Sequence, residues 1–181
     1  DALGAGEKID GGSGSNDEIS LNDDVTAGTI TNVETINIGS GSVDLDKITG
    51  ETDVNVLNND TAIINNLGTD EVDVGSGAKV AVLDATGTEL TFDASGSMTL
   101  DIDDTAVKTL TVDLGSGATL TFDQDLDTTA NAAPTLTQLT LTSSGDVTLA
   151  EDDGTAALTA SSVIKLDVTG VSGAFSTSNI G

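Results

Sequence analysis

The chain has 181 residues, 31 acidic and 5 basic, for a formal net charge of -26, and it contains neither His nor Cys. That balance excludes nucleic acid as a partner, because its phosphates would be repelled, and the missing side chains exclude zinc sites, imidazole bases, thiolates and disulfides. Hydrophobic residues make up 36% and aromatics 2%, all of them Phe, so a thick globular core is out of reach while a thin one of Val, Ile, Leu and Ala is not.

A chain this acidic repels itself, so its compact state is expected to draw on bound cations. With no nitrogen or sulfur ligands, a hard cation held by oxygen remains, and Ca2+ is the cofactor expected. No apolar run approaches transmembrane length, so no membrane insertion is expected. The chain opens on Asp1 without an initiator Met and is read as one elongated segment, 1–181, of a longer protein.

The first distinctive stretch is DGGSGSNDEI (10–19), a Gly-rich turn closing on acidic side chains. Period-two alternation with β-branched residues begins at VETINI (33–38) and returns in EVDVGSGAKVAVLD (71–84), ELTFD (89–93), SMTLDID (97–103) and KTLTVDL (108–114). It continues through ATLTFD (118–123), TQLTLTS (137–143) and DVTLA (146–150). This pattern argues against the disorder that high charge alone would suggest. TDEVDV (69–74) and TASSVIKLD (159–167) offer at most a short turn of helix. The Asn-rich LNNDTAIINNLG (57–68) reads either as stacked Asn satisfying corner backbone groups or as a plain polar loop. DQDLDTTANAAPTL (123–136), with Pro134, is either a long corner loop or a break between two sub-blocks, and the resumption of alternation at Leu136 favours the loop.

Ser-Gly punctuates the chain at Ser40, Ser76, Ser95, Ser116, Ser144 and Ser172. Three of these pairs sit in a shared unit: INIGSGSVDLD, VDVGSGAKVAVLD and VDLGSGATLTFD. Their spacing, on the order of twenty residues or twice that, is a solenoid period. The fold predicted is therefore all-β, a parallel β-solenoid with degenerate coils of about 20 residues, in which small and β-branched residues fill a narrow core. The alternative is a β-sandwich, which would normally want larger aromatics between its sheets.

Calcium takes about six to eight oxygens from carboxylates, carbonyls and water. In the opening turn, Asp10, Gly12, Gly14, Asn16 and Asp17 are candidates, with Gly letting carbonyls turn inward and Asp17 supplying charge. A calcium-binding nonapeptide, GGxGxD, would place Asp where Asn16 stands, so the turn carries a one-residue shift and has no tandem copy. Further candidates are Asp23 beside Asp24; Asp101, Asp103 and Asp104 in DIDD; Asp123, Asp125 and Asp127 in DQDLD; and Asp152 and Asp153 after Glu151. Asp far outnumbers Glu, and the shorter side chain suits loop coordination. No enzyme is expected: paired carboxylates can cleave glycosidic bonds, but such sites recruit Arg or His, and neither occurs. The T-x-T pairs Thr109/Thr111, Thr119/Thr121, Thr135/Thr137 and Thr140/Thr142 would suit a flat ice-binding array, but their irregular spacing and the fitness of Thr for a solvated strand argue otherwise.

LGAGEKIDGGSGSNDEISL followed by GTITNVETINI resembles the repeats-in-toxin (RTX) type surface-layer proteins and related giant secreted proteins of Gram-negative bacteria. Thr31 to Ile38 carry the phrase that opens a coil in that family, and LTLTSSGDVTLA (139–150) and VIKLDVTGVSGAF (163–175) resemble its degenerate coils. The resemblance implies an extracellular, type I-secreted, cell-surface protein whose solenoid binds calcium and self-assembles into a lattice (S-layer). By position, Asp10, Gly11, Gly12, Gly14, Asn16 and Asp17 would form its calcium turn. Alternative readings are a segment of a giant secreted adhesin holding a glycan or a surface, or a subunit of an extracellular filament, and a cell-surface polysaccharide is a further partner expected.

Overall fold

The computed structural model describes residues 3–68, 71–123, 126, 136–151 and 165–178. The chain starts with β1 (Lys8–Asp10), β2 (Glu18–Leu21) and β3 (Thr29–Thr31), then runs through β4 (Thr35–Ile38), β5 (Gly41–Asp44), a 3-10 turn (Leu45–Lys47) and β6 (Ile48–Thr49). From there each coil contributes two strands: β7 (Asp53–Val56) and β8 (Thr61–Asn65), β9 (Glu71–Val74) and β10 (Lys79–Leu83), β11 (Glu89–Ala94) and β12 (Met98–Asp103). The last coils hold β13 (Thr109–Leu114) and β14 (Ala118–Phe122), β15 (Gln138–Ser143) and β16 (Val147–Glu151), β17 (Lys165–Val171) and β18 (Phe175–Ser178).

These strands form an eight-stranded front sheet running β17-β15-β13-β11-β9-β7-β4-β2 and a seven-stranded back sheet running β18-β16-β14-β12-β10-β8-β5. A three-stranded side sheet, β1-β3-β6, closes the first coils. Strands two elements apart in sequence pair in parallel, as in Leu110 with Leu139 and Val80 with Leu100. The fold is thus a parallel β-solenoid. A sandwich of hairpins would have paired consecutive strands antiparallel.

Coil length can be followed through hydrogen bonds between stacked coils. They join residues 18 apart at Asn37 and Asn55, 21 apart at Val74 and Ser95, and 29 apart at Lys108 and Thr137. The later coils are longer because chain is inserted between β14 and β15 and between β16 and β17, while strand stacking is preserved. Glu71–Val74, inside the stretch that offered a helical turn, is strand β9. Its Val72 and Val74 alternate inward, and that burial overrides any helical preference.

The core is one narrow cluster between the sheets. On the front sheet, Ile36, Val54, Val72, Phe92, Val112 and Leu141 stack in register, all buried. Facing positions come from Ile64, Val82, Leu100, Leu120 and Leu149 on the back sheet. Parallel stacking places like side chains over like, so β-branched and Leu residues fill most of the core, with Phe92 and Phe122 its largest members.

The Ser-Gly pairs from Ser40 onward lie where a front strand passes to its back strand, as at Ser76-Gly77 between β9 and β10, whereas Ser13-Gly14 belongs to the opening turn. Gly41, Gly77 and Gly117 adopt positive φ there, at 106°, 78° and 76°, a region open to Gly at little cost. At the corner between β7 and β8, which carries no Ser-Gly, Asn59 holds the position with φ 59°, as Asn can. The Asn-rich stretch therefore serves the corners. Asn58 Oδ1 accepts from Ser76 N at 2.7 Å, and Asn66 Nδ2 donates to Asp44 Oδ1 at 2.7 Å. The intervening Thr61–Asn65 is strand β8, not loop.

Candidate cation-binding face

Alternation sends every second front-strand residue outward, and parallel register turns those residues into columns along the solenoid axis. One column reads Ser20, Asn37, Asn55, Asp73, Asp93, Asp113 and Thr142. Its upstream part is an amide ladder: Asn55 Nδ2 donates to Asn37 Oδ1 at 2.9 Å, and Asn37 Nδ2 donates to Glu18 Oε1. Its middle is carboxylate on carboxylate, a repulsive arrangement for directly opposed strand residues.

Glu71 lies two residues before Asp73 on the same strand face. One carboxylate oxygen from each of Glu71, Asp73 and Asp93 lies within 4.8 Å of the other two. That is the span of two oxygens on opposite sides of an ion with bonds of about 2.4 Å, the calcium distance. Asp73's carboxyl is pushed above its ordinary value, first by burial, then by the charges of Asp93 and Asp53. An open groove of about 410 Å³ runs past the column, lined by Asn37, Asn55, Asp73, Asp93, Ser95 and the exposed Leu57, among others. The geometry suits a divalent cation held by three carboxylates, with groove water completing its shell.

The opening turn provides a second, separate position. Asp10 Oδ1 accepts from Gly12 N and from Asn32 Nδ2, both at 2.9 Å, and these bonds hold its carboxyl below the ordinary value. Gly12 has φ 101°, and Asn16 is exposed. Asp17 carries the corner: its carbonyl accepts from Glu34 N and Thr35 N at 3.0 Å, and its N–H donates to Glu34 Oε2 at 2.9 Å. Asp17 Oδ2 is buried with no hydrogen-bond partner among the described residues and lies against Gly14, where a Cβ would stand 2.5 Å away. A buried carboxylate oxygen without a donor is costly, and a cation in this Gly cradle would satisfy it.

The remaining sequence candidates are spread along the solenoid. Asp23 is exposed at a corner against Gly41, and neighbouring Asp24 Oδ1 accepts from Ser42 N at 2.8 Å. Asp101 and Asp103 lie on β12, and Asp104 Oδ1 accepts from Ala106 N at 2.6 Å in a local turn. Pairing of Leu100 with Phe122 brings Asp123, just past β14, beside Asp101. Leu126 N donates to Asp101 Oδ2 at 3.1 Å, and Asp101 is 2% exposed. Asp101 and Asp123, far apart in sequence, are thus brought together at the back sheet. Asp125, Asp127, Asp152 and Asp153 lie outside the described residues. The T-x-T pairs that are described divide between the sheets, with Thr109/Thr111 and Thr140/Thr142 at the front and Thr119/Thr121 at the back, so no single flat array forms.

Glu71, Asp73 and Asp93 were not among the sequence candidates, because each reads as an ordinary solvent-side strand position. The available signal is phase: Asn37, Asn55, Asp73, Asp93 and Asp113 each stand two residues before the corner turn of their coil. Comparison of the chain with protein-family profiles, curated proteins and solved structures gives no match.

Proposed function

We propose that this chain is a calcium-stabilised structural segment of a secreted bacterial surface-layer protein of the RTX-like kind, self-assembling into an extracellular lattice. The observation that carries the reading is the in-register column Asp73–Asp93–Asp113 flanked by Glu71. A repulsive column kept on an exposed sheet face makes physical sense where a cation neutralises it. The buried oxygen of Asp17 supports the same reading independently. Calcium on such faces would screen copies of a strongly acidic chain from one another, making assembly conditional on a calcium-rich exterior.

A second reading, a segment of a giant adhesin holding a polysaccharide, draws on the groove beside the column, whose amides and carboxylates could bond sugar hydroxyls. Calcium titration followed by circular dichroism and electron microscopy on one sample separates the two. Increased thermal stability together with sheets or filaments supports the lattice reading. Stabilisation of a chain that stays monomeric supports the adhesin. No effect of calcium on fold or association refutes the calcium-stabilised reading.

A further inference from the structure

We draw no further inference here: the strongest candidate, the acidic groove on the front sheet around Glu71, Asp73 and Asp93, belongs to the site already described, and no second observation there says which other ligand it would take.

Discussion

Replacing Asp73 by Asn should change the sign of its effect on stability with calcium. In chelator the substitution removes a charge whose oxygen lies within 4.8 Å of those on Glu71 and Asp93. At that separation a pair of unit charges repels by about 0.9 kcal/mol in bulk water, roughly half of that after screening at physiological salt. Two partners make the relief about 1 kcal/mol, and the new amide can extend the Asn37–Asn55 ladder. The variant should therefore be the more stable protein without calcium. With calcium the order should invert, because an ion held at one hundred times its Kd stabilises the parent by about 2.7 kcal/mol and the variant loses a ligand. Urea unfolding of both proteins, in chelator and in millimolar calcium, measures all four values. A variant no more stable than the parent in chelator would refute the repulsive column, and an unchanged calcium response would place the ion elsewhere.

Other outcomes follow from the same geometry. Phe92→Ala should cost about 3–5 kcal/mol by urea melts, because Phe92 is fully buried between Val72 and Val112 in the stacked column. Gly75→Ala should cost about 1–3 kcal/mol, since its Cβ would stand 2.5 Å from Asn58 N and 2.6 Å from the Oδ1 that accepts Ser76 N; a neutral result would mean that the corner relaxes freely. In chelator, Asp73's raised carboxyl pKa means that the folded state holds this proton more tightly than the unfolded one. Its contribution to stability should therefore rise as pH falls through the window just above 3.8, and urea midpoints across that window should lose this rise in Asp73→Asn. Asp10 acts oppositely: with its carboxyl lowered by Asn32 and Gly12, its contribution is present above 3.8 and is lost as pH falls through the folded value. Comparing Asp10→Asn with the parent over the same range tests that sign.

What the sequence determined by itself was the period. Alternation in VETINI, ELTFD, KTLTVDL and TQLTLTS, broken by Ser-Gly, placed β4, β11, β13 and β15 within a residue or two of their observed bounds, because these strands bury one face and leave the other in water. The same local chemistry marked the corners, where positive φ calls for Gly or Asn. The early strands β1, β3 and β6, two or three residues each, carry too short a pattern to read. Only the tertiary structure decided which carboxylates meet. Register between coils of unequal length sets Asp93 over Asp73 and Asp123 beside Asp101, and no local rule fixes how much chain each corner takes up. The opening turn is legible in the sequence because its glycines and acids are neighbours there. The acidic column is not, because its members are a whole coil apart and become neighbours only when the parallel sheets stack.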